Sequence, residues 1–381
     1  MKTGKIILFA FFISLNSVLF SSCWNYREID DMAIVSGVAI DKGINNRYAI
    51  TPEIVQIAGG REHKQSSETV TIEGKSIFDA VRNEISVTGK KLYWSHTKVV
   101  IVSQEIAREG LNKVVDWYAR DAEAREDVHF LISKDESAKE IFEGYAVTDD
   151  VISYELSQML DNQKSLSKAP KVDLWDFANC ISGEGISAVA PAISLKKVDG
   201  KEKAQIEGTA IFKKDKLLGF IDGEDTQAML FIKNEVKGGV IVCDEIEKTF
   251  VSLEIFKSKT KIKPICNGKG ITMGITIELD TAIDEVGDTF DPIEEEGRKK
   301  LKEHCEGMLN ERFTKFIKKI QSEYGADIFG FGAKIREDNP SLWKAISKNW
   351  GEEFKNLKIN VSTKLRIRNS AQMSKILEVE D

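Results

Sequence analysis

From Gly238 to Ile283 the chain reads GGVIVCDEI, KTFVSLEIFKSKTKIKPIC and GITMGITIELDTAI, three stretches in which apolar and polar residues alternate, separated by turn residues. A period of two puts every second side chain on one face of an extended chain, whereas a helix repeats about every 3.6 residues. The segment is therefore expected to form an antiparallel meander with one buried face. The alternation then stops. From Ile293 to Glu323 the apolar positions Leu301, Cys305, Met308, Leu309, Phe316, Ile317, Ile320 and Tyr324 fall on one stripe of a long helix, expected to pack on that sheet.

The flanks are read in the same way. AQIEGTAIFKK and DKLLGFID make a hairpin about Lys214–Asp215, and Glu224 to Lys233 a short helix. ADIFGFGAKIRE and SLWKAISKNW are short helices, and residues 357–369 a last strand. Nearer the N-terminus, MAIVSGVAID (32–41) and RYAITPEIVQIA form a hairpin, and residues 69–74, 92–103 and 125–133 read as further strands. Ser76 is expected to cap a helix whose Ile77, Val81 and Ile85 share a face. Helices are expected over 103–110, 111–124, 136–144, 149–166 and 172–181. ISAVAPAISLKKV (186–198) is a strand whose Pro191, without an amide hydrogen, belongs at a sheet edge or a bulge.

The fold class is α+β, or mixed α/β, in more than one domain. The polar loop VDGKEK (198–203) is the expected boundary. Residues 23–198 form a mixed α/β region that could itself divide in two, residues 204–372 an antiparallel sheet with a long helix, and residues 373–381 a tail. A body of 359 residues (381 − 22) exceeds one ordinary core.

The first 22 residues stand outside this fold. Lys2 and Lys5 precede an uncharged run from Ile6 to Phe20, followed by the small Ser21 and Ser22. These are the parts of a signal peptide, and the run is shorter than the roughly 20 apolar residues of a spanning helix. Cleavage is expected between Ser22 and Cys23. Cys23 resembles the cysteine of a bacterial lipobox, which implies S-diacylglyceryl modification and acylation (a palmitate, for example) of the new amino terminus. The alternatives are ordinary secretory cleavage, leaving a free thiol, and an uncleaved anchor helix. Charge makes Cys23 matter. The chain carries 54 Lys and Arg against 61 Asp and Glu; without Lys2 and Lys5 the balance is 52 − 61 = −9. Such a body is not expected to be drawn to an anionic bilayer or to nucleic acid, both of which select clustered cations. Stable attachment needs more than one acyl chain, and a diacylglyceryl thioether supplies two at a single residue.

Candidates for chemistry are few. Cys180, Cys243, Cys266 and Cys305 are widely spaced and expected as core thiols, with a Cys243–Cys266 bridge between neighbouring strands as the alternative. His63, His96, His129 and His304 have no metal-ligand spacing, and His96 is expected as a structural imidazole on a strand. GEGISA (183–188) and GKGITMG (268–274) carry glycines, but a phosphate loop needs a strand before it and a helix after it, and neither stretch has that order. EIDD (28–31) and Glu294 to Glu296 read as solvated runs, the latter at a helix N-terminus behind Asp291. No catalytic, cofactor-binding or metal residue is singled out, and no cofactor is expected.

One likeness covers nearly the whole mature chain in order. CWNYREIDDMAIVSGVAID, then LYWSHTKVVIVSQEIAREGLNKVVDWYARDAEAREDVHFLIS, IEGTAIFKKDKLLGFIDGEDTQAMLFI, ADIFGFG and LKINVSTKLRIR resemble the Ger(x)C spore germination lipoproteins, the C subunits of nutrient germinant receptors. The resemblance implies a non-enzymatic subunit, lipid-anchored through Cys23 on the outer face of the inner spore membrane or of the cell membrane. It also implies two partners: a large membrane subunit with soluble regions, and a membrane subunit like an amino-acid transporter. A solute-binding lipoprotein of a membrane importer is the rival class and would need a cleft between like lobes. A lipid-anchored enzyme would need convergent polar groups in a deep pocket.

Overall fold

The computed structural model describes residues 3–7, 9, 31–57, 65–120, 123, 125, 127–246, 249–267, 270–287, 290 and 294–368. Its first sheet has ten strands, in the order β10-β9-β8-β7-β6-β1-β2-β3, with β4 beside β2 and β5 beside β1. In chain order these are β1 (Met32–Lys42), β2 (Tyr48–Ile57), β3 (Gln65–Thr69), β4 (Ile72–Gly74) and β5 (Lys91–Tyr93), then β6 (Val99–Ser103), β7 (His129–Ser133), β8 (Val189–Val198), β9 (Lys201–Lys213) and β10 (Lys216–Ile221). The centre, β1-β6-β7-β8, is parallel and the flanks are antiparallel.

VVIVS and HFLIS are buried at every position, because helices cover both faces. Val100 and Val102 join the core under α1 (Ile77–Asn83), α2 (Gln104–Glu109), α3 (Asn112–Arg120) and α5 (Leu174–Ser182). Val99 and Ile101 face α4 (Ile152–Asp161) and the short 3₁₀ turn Lys139–Glu143.

The expected hairpin of β1 and β2 is present, and Ser76 caps α1 by accepting from the Asp79 amide. Ile85 is a correction. The helix ends at Asn83, and Ile85 begins a separate turn, Ile85–Thr88, at 37% exposure. Residues 92–103 are not one strand either. β5 and β6 lie along the same side of β1, but the 3₁₀ turn Trp94–His96 between them swings out to bury Trp94 edge-on against Trp117, with ring centroids 5.4 Å apart. The helix expected over 136–144 is the 3₁₀ turn just named. Pro191 lies inside the sheet, between β7 and β9, and the register shifts beside it, so the bulge is the alternative realised. Residues 198–203 are a hairpin rather than a loop. Asp199 and Gly200 turn with positive φ, and β9 pairs back onto β8 from Lys201. The hairpin β9–β10 thus belongs to the first sheet, not to the meander.

After α6 (Gly223–Ile232) come β11 (Val240–Ile246), β12 (Thr249–Asn267) and β13 (Gly270–Val286), antiparallel as their alternation requires. The last strand, β14 (Lys358–Arg368), pairs parallel to β13, which needs the long crossover through the intervening helices. Those helices are α7 (Glu295–Lys319), α8 (Phe331–Asp338), α9 (Pro340–Ile346) and α10 (Trp350–Asn356), and a π turn, Ile320–Tyr324, extends α7. The expected stripe of α7 packs on one face of this four-stranded sheet, with Met308 and Tyr324 only partly buried and Phe313 added to it. Side chains of α7 also cover the edge strand: Asn310 Oδ1 accepts from the Thr363 amide and Glu306 Oε1 from the Leu365 amide, each at 2.7 Å.

The cysteines depart from expectation. Cys243 on β11 is bonded to Cys305 on α7, tying sheet to helix, while Cys266 is exposed and Cys180 half-buried. Cys243 sits opposite Val251 on β12, and Cys266 is at the far end of that strand, fifteen residues on (266 − 251) and roughly 50 Å away at about 3.3 Å per residue.

Candidate functional site

Ser22 and Cys23, the expected cleavage and lipidation positions, lie outside the described residues, as do Asp291 and His63. The first described strand is β1, whose Met32 pairs with Lys91 of β5. Among the described residues no helix is long and apolar enough to cross a membrane.

The histidines are dispersed. His96 is exposed on the 3₁₀ turn, not on a strand, with its ring edge-on to Tyr93 at 5.7 Å. His129 is buried, its Nε2 4.0 Å from Asp161; burial, and then nearby Lys171, hold its pKa below the usual imidazole value. His304 on α7 meets the Asp244 carbonyl at 2.8 Å. Among the described residues no three His, Cys, Asp or Glu converge as metal ligands.

Among the described residues five carboxylates are nearly sealed from solvent, Asp41, Glu53, Glu84, Glu155 and Asp327, and three of them clip distant segments together. Glu53 on β2 accepts from Ser36 Oγ at 2.9 Å, Ser67 Oγ at 2.7 Å, the amides of Ile152 and Ser153 at 3.0 Å each, and Ser153 Oγ. The N-cap of α4, Val151, has no side-chain oxygen, so Glu53 supplies the cap from across the sheet. Gly37 leaves room for this, since a Cβ there would lie 2.0 Å from Ser153 Oγ. Asp41 caps the 3₁₀ turn by accepting from Ala138 and Lys139; burial pushes its carboxyl up, and those hydrogen bonds pull it down.

Asp327, in ADIFGFG, accepts from the amides of Gly330, Phe331 and Gly332 and from the indole of Trp350. Burial pushes it up to about 6 against those four donors. It anchors a joint between the two halves. The Asp327 carbonyl accepts from Ser187, the Gly185 carbonyl accepts from Ala333 at 2.9 Å, and Trp343 Nε1 donates to Glu184 at 3.2 Å. Gly185 turns with φ +73° and would place a Cβ 2.6 Å from the Ala333 nitrogen. GEGISA therefore interlocks backbone with backbone, which accounts for Gly185 without a phosphate.

A cavity of about 620 Å³ opens between α1 and α3. Its rim carries Arg47, Lys75, Arg82, Lys113 and Arg120, with Phe78 and Trp117 in the walls. Asp116 is its one acid and holds Arg120 at 3.0 Å. No carboxylate lies within 4.0 Å of the other four cations among the described residues, though Arg82 stacks on Phe78 at 4.8 Å. Sequence reading missed this cleft because its cations come from three separate segments and each resembles an ordinary surface residue. It lies within one half of the molecule, not between two like lobes.

Comparison with known proteins divides the chain inside the first sheet. Residues 25–195 match the family described as "Spore germination protein N-terminal domain" and residues 207–371 the one described as "Spore germination B3/ GerAC like, C-terminal". The junction between the matches is the β8–β9 hairpin, inside one continuous sheet. Spore germination protein KC of Bacillus subtilis (strain 168) is 23% identical, over 95% of each chain. Spore germination protein B3 of the same strain is 25% identical, over 98% of this chain and all of that one. The crystal structure of the GerBC protein superposes with a TM-score of 0.57 at 20% identity, covering 87% of this chain and 96% of that chain, and so shares the fold.

Proposed function

Since the chain belongs to the Ger(x)C family of spore germination proteins, we propose that it is a lipid-anchored, non-enzymatic subunit of a spore nutrient germinant receptor. The observation that carries this reading is the pair of family matches, which run in order along the body and meet within one sheet. Three of the five buried carboxylates support a non-enzymatic role. Glu53, Asp41 and Asp327 are spent on backbone amides and are not aimed into the cleft.

The anchor is Cys23. A lipid there holds the body close to the bilayer and raises its effective concentration toward the large membrane subunit and the transporter-like subunit, without new contacts. The test is Cys23→Ala in spores. The expected result is loss of the body from the membrane fraction and a weakened response to nutrients. Normal fractionation and normal germination would overturn the anchoring claim. Mass spectrometry of the native product adds a direct check for a diacylglyceryl cysteine at residue 23.

The cleft between α1 and α3 favours a second reading, in which the chain itself holds a small anionic solute, since its volume suits one and its rim is cationic. A thermal-shift screen of the purified chain against amino acids, sugars and organic acids separates the two. A saturable shift abolished by Lys113→Gln supports solute binding; an unchanged melting temperature throughout speaks against it.

A further inference from the structure

Among the described residues nothing covers one face of the four-stranded sheet, and away from the β11 edge, where Glu254 and Asp244 are exposed, the charge of that face is opposite to that of the whole chain. Alternation sends Lys257, Lys259, Lys261 and Lys263 of β12 outward, all exposed. β14 sends out Lys358, Lys364, Arg366 and Arg368. β13 lies between them, and register places them on one surface: Lys257 faces Asp280, which faces Arg366, and Lys259 faces Glu278, which faces Lys364. The block spanning residues 257–263, 274–280 and 358–368 of the outward face thus holds eight cations and two acids, 8 − 2 = +6. The two acids are partly taken up, Asp280 with Arg368 at 3.0 Å and Glu278 with Lys261 at 4.0 Å. Beside the block, Val240, Val242 and Phe256 are each about half exposed, and the Arg368 guanidinium lies 5.7 Å from the Phe256 ring centroid.

We infer that this face docks on an anionic phospholipid surface. Rows of like charge repeat every second residue, about 6.6 Å apart along a strand, on a broad sheet. A bilayer of acidic headgroups complements the eight cations of such an array together, and none of the described cavities opens in it to anchor one particular protein side chain. The apolar margin suits the boundary between headgroups and acyl chains. The net −9 of the mature chain, which argued against such attraction, is no obstacle at close range. Charges beyond a Debye length of about 8 Å are screened, so the bilayer responds to the face it meets. This refines the reading of the chain as a membrane-attached subunit, rests on it for its setting, and adds a contact independent of Cys23.

The test uses the unlipidated chain from Trp24 onward, which keeps both sheets and every packed element, so its failure leaves the claim about Cys23 standing. Binding is measured by co-sedimentation with vesicles of phosphatidylcholine alone and of phosphatidylcholine mixed with phosphatidylglycerol. Each cation at an anionic surface raises partitioning about five-fold. The expected result is binding to the mixed vesicles only, weakened by salt. Replacing the four β12 lysines with Gln lowers partitioning several hundred-fold, on the order of five-fold for each. Replacing Lys315 and Lys318, on the opposite side of α7, leaves it within two-fold, about the scatter of such measurements. Equal melting temperatures show that the variants are folded. Three outcomes would overturn the inference: no binding of the parent chain, equal binding to both vesicle types, or a quadruple variant that binds like the parent. If the parent chain ignores vesicles but the quadruple variant impairs germination, the face meets an acidic protein instead.

Discussion

The two sheets differ in how many of their faces are covered. The first is sealed on both sides, so its central strands are buried at every position and its polar groups are drawn inward as clips: Glu53 to α4, Asp41 to the 3₁₀ turn. The second is covered by α7 on one side only, and its strands alternate. A sheet buried on both faces has no surface left for a partner, whereas a half-covered sheet has one whole face that stability does not need. In this chain that face collected cations.

Four variants probe the contrast, in order of expected size. Glu53→Ala strips the acceptor from a buried set of hydroxyls and amides and should cost on the order of 5 kcal/mol in urea unfolding. Hydrogen exchange should rise first in α4 and β2. An equal rise across β11 to β14 would mean that the two sheets open as one unit, and the contrast would fail. Removing the Cys243–Cys305 bond with Cys243→Ala and Cys305→Ala frees a span of 62 residues. Loop-closure entropy puts the loss at about 4 kcal/mol, and a reducing agent should reproduce it in the parent chain but not in the variant.

Asp327→Asn should cost about 2 kcal/mol, because one acceptor oxygen becomes a donor facing donors. It also carries a pH signature. The folded pKa, about 6, lies above the ordinary aspartate value of 3.8. The proton-linked stability from this group is thus fully present below 3.8 and is lost as pH rises through about 6. Relative to the Asn variant, the parent should lose stability as pH rises across that window. Smallest is Asn310→Ala, which unpairs the Thr363 amide on the edge strand and should cost about 1 kcal/mol, read as a shift in thermal midpoint.

Much of this architecture was legible, for reasons that also mark the limit. Period-two runs announced the second sheet, and the stripe from Leu301 to Ile320 its covering helix, because burial on one face leaves a periodic trace. The parallel pairing of β14 left no such trace, since pairing direction depends on the crossover. Glu53 sits in ITPEIVQI as an ordinary polar residue, and its partners Ile152 and Ser153 lie about a hundred residues away. Cys305 was placed correctly on the buried stripe, but its bond to Cys243 needed the distance between α7 and β11. The lysines of FKSKTKIKP were visible as half of an alternation. Only the register β12-β13-β14 shows that they and the cations of β14 make one surface.

The most direct test is amine labelling of this protein in intact spore membranes, with each modified lysine located by mass spectrometry. The account predicts that Lys257, Lys259, Lys261 and Lys263 are shielded until detergent removes the lipid, while Lys75 and Lys113 at the cleft react throughout. Equal reactivity at both sets before detergent is added would contradict it.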